Sequence, residues 1–305
     1  MKVVVTGGAG FIASHIVDAY IAAGHQVLII DHFGERGGAS HGNVHPRATL
    51  YKLDIRSLDA FNLIAYEKPD VVNLHAAQHS VKHSTENPVL DADVNIIGLI
   101  NMLDACVAAG TRKVIFASSA ATYGEAAQIP IDESTPQNPL SPYAITKLAG
   151  EHYVRYYARE KNLAFTIFRY GNVFGPRQNP DGEAGVICIF AKRFFARQDV
   201  RVDGDGEQCR DYVYVSDVAQ ANVLALSAGD DDVFCIASGR GTSVHAIYRA
   251  LCQVSGFEAN IVRAPKRPGD IYKSVFSVTK AEKVLGWKPQ VDFDEGIRLT
   301  YRSFT

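Results

Sequence analysis

The feature that constrains the fold most is a glycine cluster between a strand-like and a helix-like segment at the start of the chain. Residues 3–5, three valines, form a short run typical of a buried strand, and the apolar residues of 11–23 recur at helical spacing. Between them, residues 7–10 read Gly-Gly-Ala-Gly. This order predicts the first unit of a parallel α/β sheet, with a turn that approaches a phosphate group closely.

Further strand-like and helix-like runs alternate through the first 170 residues. The strand-like runs cover residues 26–30, 50–53, 70–74, 112–117 and 164–168, and the helix-like runs include residues 57–67, 88–109 and 141–160. Because strands that alternate with helices form crossover units, this pattern predicts an α/β protein with a doubly wound parallel sheet.

The regular alternation of strands and helices ends after residue 170. A loop rich in glycine and proline comes next, and shorter elements follow it. We expect a helix over 184–197, a strand over 209–215 and a closing helix from residue 293. The chain is therefore predicted to divide into a cofactor-binding domain, 1–170, to which some later segments return, and a smaller α/β substrate-binding lobe formed mainly by 171–305.

Composition argues against several classes of protein. A net charge of -2 over 305 residues creates no field for nucleic acid or an anionic membrane. The five cysteines are widely spaced without a CxxC pair, which suggests neither a disulfide framework nor a metal site. The amino terminus has too few apolar residues for a signal peptide, and no later run reaches the roughly 18 that a membrane helix needs. We expect a cytoplasmic protein with a small-molecule partner.

The glycine cluster carries the features of a dinucleotide site. Gly7 permits the tight turn, while Gly10, Phe11 and Ile12 bring backbone N–H groups to a pyrophosphate at a helix amino end. Asp31 ends the second strand about 20 residues later, where a carboxylate binds a ribose diol and repels a 2'-phosphate. The expected cofactor is NAD.

The third strand is followed directly by Asp54 and Ile55. Both are candidates for contact with the adenine edge. The alternative for Asp54 is a helix cap.

Tyr143 and Lys147 stand four residues apart in SPYAITKLAGE, where Ser141 and Pro142 indicate a helix start. Both side chains therefore share one helical face. An ammonium group close to a phenol favours the phenolate, so we expect Lys147 to lower the pKa of Tyr143 and make it a base. An amphipathic surface helix is the alternative for this pair alone.

Ser119 completes this catalytic set at the end of the fifth strand, where the carboxyl edge of a parallel sheet faces a ligand crevice. Its hydroxyl can bridge the tyrosine oxygen and a substrate hydroxyl. Ser118 is the rival, but strand alternation aims it at the opposite face.

These motifs belong to an ordered set that covers essentially the whole chain. The stretches are TGGAGFIASH, LDIRS, NLHAAQHSV, DVNIIG, FASSAATYGE, SPYAITKLAGE, RYGNVFGPRQ, GDGEQCRDYVYVSDVA, RPGDI and LGWKP. In this order and spacing the chain resembles the extended short-chain dehydrogenases, and among them the UDP-glucose (UDP-galactose) 4-epimerase family. The resemblance implies a Rossmann-type sheet and bound NAD.

The resemblance also implies roles for individual residues. It gives Ser119, Tyr143 and Lys147 the catalytic roles, with Tyr143 and Lys147 also touching the cofactor. Ala76 and Asn95 fall on the cofactor side. The residues implied to bind the substrate are Ser119, Asn172, Arg210, Arg267, Asp270 and Ser274. Arginine suits a diphosphate because its planar fork matches phosphate oxygens.

The implied reaction is inversion at C4 of a UDP-hexose through a 4-keto intermediate, with NAD recycled. Related dehydratases carry an acid where this chain has Ala120 and Ala121, and a methyl group cannot protonate a leaving hydroxyl. Elimination is therefore disfavoured.

The sequence does not decide whether the sugar is a hexose, an N-acetylhexosamine or a uronate. Ser274 occupies a position where a bulky residue in some relatives limits room for an N-acetyl group, and packing of a turn is its alternative role. The competing functions are a UDP-glucuronate or other nucleotide-sugar epimerase, a net dehydrogenase and a non-catalytic NAD-binding sensor.

Two further expectations follow from the resemblance. The helices at 88–109 and 141–160 would form a homodimer contact, although their apolar faces also suit packing within one chain. The usual His-Leu-Ala-Ala of the family reads Leu74-His75-Ala76-Ala77 here, which brings His75 nearer the cofactor, either to bond there or as a satisfied core histidine.

Overall fold

The computed structural model describes residues 1–34, 38–180, 185–266 and 271–304. The strands are β1 (Lys2–Thr6), β2 (Gln26–Ile30), β3 (Thr49–Tyr51), β4 (Val71–Leu74), β5 (Lys113–Ser119), β6 (Ala164–Tyr170), β7 (Asn172–Phe174), β8 (Val200–Asp203), β9 (Cys209–Tyr214), β10 (Asp232–Ile236), β11 (Gly241–Ser243) and β12 (Ile261–Ala264). The α-helices are α1 (Phe11–Ala22), α2 (Leu58–Glu67), α3 (Val81–Glu86), α4 (Pro88–Ala92), α5 (Gly98–Ala109), α6 (Pro142–Lys161), α7 (Val186–Phe195), α8 (Val215–Leu224), α9 (Val244–Ser255), α10 (Thr279–Leu285) and α11 (Phe293–Arg302).

A seven-stranded parallel sheet forms the centre of the molecule, in the order β10-β6-β5-β4-β1-β2-β3. Apart from the edge strand β3, its strands are buried on both faces, which explains their continuous apolar runs. Val3 and Val5 enter one hydrophobic core with α1 and α8, whereas Val4 enters the other with α2, α5 and α6. The predicted doubly wound α/β fold is confirmed.

The remaining strands form two small sheets that follow the loop after β6. One sheet has the order β11-β9-β7, and the other pairs β12 with β8. The apolar faces of α7, α9 and α11 pack together with these strands in a third core. These elements make up the smaller lobe.

Some later segments lie with the large sheet. Helix α8 packs on α1, and β10 forms the edge of the sheet beside β6. Trp287 is buried in the same core as α1, and its indole N–H donates to Asp217 O at 2.8 Å. The chain therefore crosses between the two regions more than once.

The helix expected over 88–109 is one continuous run in which α4 and α5 are joined by a π-helical turn at Asp93–Ile97. By length and composition the run is apolar enough to cross a membrane, which corrects the expectation that no run in the chain is. Its inner side packs on the sheet, with Met102, Leu103 and Cys106 completely buried. Core helices of globular proteins pass the same test of length and composition.

All five cysteines are free thiols, and Cys106, Cys188 and Cys235 are completely buried. They act as small apolar residues in the packing.

Candidate functional site

A cavity of about 730 Å³ runs along the carboxyl edge of the large sheet. Its walls contain ten of the eleven residues predicted to bind the cofactor: Gly7, Gly10, Phe11, Ile12, Asp31, Asp54, Ile55, Ala76, Tyr143 and Lys147. They come from separate turns and from two helices, α1 and α6, and the parallel sheet brings them to the same edge.

The glycine turn is shaped to receive a phosphate group. Gly7 has φ +70, and a Cβ on it would lie 2.9 Å from the backbone of Ala76. Helix α1 begins after Gly10, which offers no side-chain cap to the free N–H groups of the first turn. These groups and the helix dipole fit a pyrophosphate.

Asp31 lies at the end of β2 and is almost fully buried. Its carboxylate accepts hydrogen bonds from Ala9 N at 3.1 Å and from Phe33 N at 2.9 Å. These bonds fix the carboxylate against the glycine turn, where the remaining oxygen lone pairs suit a ribose diol.

Asp54 lines the same cavity but does not cap a helix. Its carboxylate pairs with Arg56, whose hydrogen bonds hold the pKa of Asp54 below its usual range despite partial burial. The cap of α2 is Ser57, whose hydroxyl accepts from Ala60 N at 3.1 Å. The helix-cap alternative for Asp54 is therefore wrong.

The three expected catalytic residues meet at the end of β5. Helix α6 begins at Pro142, and Ser141 caps it by accepting from Ala144 N at 3.2 Å. The Ser119 hydroxyl lies close to that of Tyr143 and lowers the pKa of the phenol. One turn later, Lys147 Nζ donates to Ala117 O at 2.9 Å and stands 5.8 Å from the centre of the Tyr143 ring.

The expected effect of Lys147 on the pKa of Tyr143 is wrong. Burial raises the pKa of Tyr143 to about 12, and the Ser119 hydrogen bond opposes this only in part. Burial also lowers the pKa of Lys147 to about 8, although the charge of Asp91 raises it. Both groups are withdrawn from water, and desolvation disfavours the charged form of each.

Ser118 has the role that strand alternation predicts for it. Its hydroxyl donates to Glu151 Oε1 at 2.6 Å, although Ser118 also borders the cavity. Glu151 is fully buried and makes a 2.7 Å ion pair with Arg169 on β6. The sequence reasoning missed this pair, although Glu151 follows Lys147 by four residues on the face that carries Tyr143.

Asn95 is the eleventh predicted cofactor residue and lies behind the cavity, in the π-helical turn. Together with Lys147 it borders a small adjoining void. Its amide donates to Thr146 Oγ1 and to Asp91 Oδ1, both at 3.1 Å, and its carbonyl accepts from Gln78 N at 2.8 Å. Asn95 therefore braces α6, the helix that carries Tyr143 and Lys147.

The described residues that were predicted to bind substrate, other than Ser119, lie on the small lobe. Asn172 on β7 is in register with Tyr212, so it shares a sheet face with Arg210, two residues earlier on β9. Ser274 is buried, and its N–H donates to Cys209 O at 3.0 Å. Arg267 and Asp270 lie outside the described residues.

One wall of the cavity was not predicted from the sequence. Helix α3 and the residues before it contribute polar side chains to it, namely Gln78, His79, Ser80, Lys82, His83 and Glu86. Their concentration of polar and titratable groups directly after β4 was the available signal.

The comparisons with known proteins agree with this geometry. The sequence pattern of the NAD dependent epimerase/dehydratase family matches residues 3–237. A putative UDP-glucose 4-epimerase of Methanocaldococcus jannaschii is 42% identical over 97% of this chain and 96% of its own length.

Two solved structures are also similar over nearly their full length. The UDP-glucose 4-epimerase of Thermotoga maritima, solved with UDP-glucose, has a TM-score of 0.96 at 41% identity and covers 100% of this chain and 98% of its own. The UDP-glucose 4-epimerase of Thermus thermophilus, in complex with NAD, has a TM-score of 0.94 at 41% identity, with 100% and 99% covered.

Proposed function

Since this chain belongs to the NAD-dependent epimerase/dehydratase family, we propose that it is an NAD-dependent enzyme that interconverts UDP-glucose and UDP-galactose by inversion at C4. The observation that carries this proposal is that Tyr143 and Lys147, with Ser119 beside them, line the same cavity as the glycine turn and Asp31. A proton-transfer site and a dinucleotide site are thus continuous.

In the proposed reaction, Tyr143 takes the proton of the C4 hydroxyl and returns it after inversion. Bound NAD supplies the acceptor and donor of hydride at C4. Ser119 holds the sugar oxygen through the same hydroxyl that contacts Tyr143. Lys147, fixed by Ala117 O, places a positive charge where phenolate forms.

The diphosphate is assigned to the small lobe. Arg210 lies on the same sheet face as Asn172, which suits a phosphate and its neighbouring ribose. An anchor on a different lobe from Tyr143 leaves the hexose free to turn over between the two hydride transfers.

An NMR assay of purified protein with UDP-galactose and no added nucleotide or reductant tests the function. We expect UDP-glucose to accumulate without stoichiometric absorbance from reduced nicotinamide. Accumulation of NADH would identify a net dehydrogenase, and inactivity across UDP-glucose, UDP-N-acetylglucosamine and UDP-glucuronate would favour the sensor.

Replacement of Asp31 by asparagine should change the cofactor preference. The substitution removes the charge that repels a 2'-phosphate, and its single amide oxygen keeps one of the two hydrogen bonds that the carboxylate accepts from Ala9 N and Phe33 N. We expect the affinity for NADP relative to NAD to rise at least about 10-fold, which corresponds to about 1.4 kcal/mol. Titration calorimetry measures the affinities for NAD and NADP. The control is Asp59→Asn, on the exposed start of α2. An unchanged ratio contradicts the assignment.

We propose that the site accepts N-acetylhexosamine as well as hexose, because Ser274 is small. Ser274→Tyr should lower kcat/KM for UDP-N-acetylglucosamine at least about 10-fold, because a clash of a few atoms costs about 1 to 3 kcal/mol. The value for UDP-glucose should stay within a few-fold. Steady-state kinetics with both substrates decide the matter. Wild-type protein that turns over only UDP-glucose rejects the proposal.

We also propose a homodimer formed by the helical run 88–109 and α6. Both carry exposed apolar side chains, with Val89 and Ile97 on the first and Ile145 and Tyr156 on the second. Exposed apolar residues on adjacent helices are typical of a contact between copies.

Val89→Asp should dissociate this dimer. Val89 is 82% exposed near the start of α4, so the monomer tolerates aspartate there, while an interface would have to desolvate the charge. Sedimentation should show the mass falling by half, whereas Leu58→Asp, at a position that is 70% exposed on α2, should leave it unchanged. Equal masses for both variants contradict the assignment.

A further inference from the structure

Four polar side chains behind the cavity form a closed ring of hydrogen bonds. His75 Nδ1 bonds to Asn73 Oδ1, and Asn73 Nδ2 donates to Asn222 Oδ1 at 2.9 Å. Asn222 Nδ2 donates to the Tyr170 hydroxyl at 2.9 Å, and that hydroxyl bonds to His75 Nε2 at 3.0 Å. The ring joins β4, β6 and α8 across the core.

The ring allows one arrangement of hydrogens. Asn73 Nδ2 also donates to the Tyr20 hydroxyl at 2.7 Å, so the Asn73 carbonyl oxygen faces His75. An oxygen can only accept here, which places the imidazole proton on Nδ1. His75 Nε2 therefore accepts from the Tyr170 hydroxyl, and every donor in the ring has an acceptor.

His75 is the member of the ring that reaches the cavity. It is partly exposed in the cavity wall, which Tyr143 and Lys147 also line. Asn73 and Asn222, in contrast, are fully buried. Burial, together with the nearby charge of Lys147, lowers the pKa of His75 to about 3, so the imidazole is neutral.

We propose that the Asn73–His75–Tyr170–Asn222 ring holds His75, in its uncharged form, in the wall of the NAD site beside the nicotinamide. This inference rests on the proposed function. Both ring nitrogens are engaged within the protein, so His75 does not compete with Tyr143 for the sugar proton. The neutral imidazole also adds no positive charge beside Lys147 and the oxidised cofactor. His75 contacts the cofactor, and the other three members are positioning residues.

The proposal is tested on the protein with its bound nucleotide, by the rate at which labelled NAD replaces bound NAD without any sugar nucleotide. His75→Leu removes the imidazole, while Tyr170→Phe keeps it but removes its Nε2 partner. We expect both variants to exchange NAD about 10-fold faster, because a displaced or altered side chain loses close packing against the cofactor, and a loss of about 1.4 kcal/mol corresponds to tenfold. The double variant should exchange no faster than His75→Leu, because both changes act through one side chain.

Tyr248→Phe is the matched control, since it removes a hydroxyl that donates to Ala259 O at 2.6 Å in the other lobe. Its exchange rate should equal that of the wild type. The emission spectrum of bound NADH gives a second readout, which should shift in His75→Leu and Tyr170→Phe alone.

The outcomes separate the two proposals. Wild-type protein that holds no NAD overturns the proposed function and this inference with it. If wild-type protein holds NAD, two results overturn the inference about the ring alone. One is an unchanged exchange rate in His75→Leu. The other is faster exchange in His75→Leu with an unchanged rate in Tyr170→Phe. If His75→Leu does not fold, Tyr170→Phe decides by the same criterion.

Discussion

Replacement of Tyr143 by phenylalanine should lower kcat for the conversion of UDP-galactose to UDP-glucose by about 10³-fold, the range expected when a general base is removed. In the proposed reaction the phenol takes the C4 proton, and the Ser119 hydroxyl lies close to it. The ring remains and keeps its packing, so KM should change little. Initial rates by NMR, with the substrate varied, measure both constants.

Tyr153→Phe is the control for this variant, because Tyr153 lies on the same helix with its side chain 37% exposed. It should retain wild-type kcat. If Tyr143→Phe retained a tenth or more of the activity, another group would be the base. Circular dichroism and melting temperature check that both variants fold.

Replacement of Glu151 by glutamine should lower the free energy of unfolding by about 3 to 5 kcal/mol, the cost of breaking a buried pair from one side. Arg169, whose side chain is 3% exposed, would keep its charge without a carboxylate. Glu151 also holds Ser118, the neighbour of Ser119, so the loss acts where β5 meets the catalytic helix. Denaturant unfolding measures the difference.

Two comparisons make this prediction specific to the buried pair. Glu160→Gln breaks a 2.7 Å pair with Arg159 whose side chains are 46% and 74% exposed respectively, and it should cost less than about 1 kcal/mol. The double variant Glu151→Leu with Arg169→Met should recover much of the stability, because it leaves no buried charge at this pair. Equal losses in Glu151→Gln and Glu160→Gln would contradict the interpretation.

The same pair gives stability a definite dependence on pH. Burial by itself raises the pKa of Glu151, but the hydrogen bonds and charge of Arg169 outweigh burial and hold this pKa below its usual range. A carboxylate with a lowered folded pKa stabilises fully above its unfolded pKa and loses that contribution as the pH falls through the folded value. The difference between wild type and Glu151→Gln should therefore shrink in acid, below about pH 4.

Local patterns in the sequence were sufficient to predict the residues at the glycine-turn end of the cavity and the start of α6. The glycine turn, Asp31 and the helix start at Ser141 and Pro142 depend on neighbours within a few residues, and the structure has them where they were expected. The same holds for Ser118 and Ser119, because the alternation of a strand assigns them to opposite faces. Each of these features is decided by backbone geometry near one position.

The electrostatics of the site needed the tertiary structure. A spacing of four residues predicted that Tyr143 and Lys147 share a face, but their pKa values depend on how much water the whole fold excludes. The interpretation from spacing alone consequently had the wrong direction for Tyr143. Glu151 and Arg169 show the same limit, since they meet only when α6 packs on β6.

The sequence by itself determined the alternating α/β order, the glycine turn and the positions of Ser119, Tyr143 and Lys147, because these follow from periodicities of about two and 3.6 residues and from short turns. Only the tertiary structure decided the return of β10 to the large sheet, the polar wall from α3 and the ring around His75. These features join residues that are up to 149 positions apart, as Asn73 and Asn222 are. Such contacts are selected by the packing of the complete core, which no local pattern encodes.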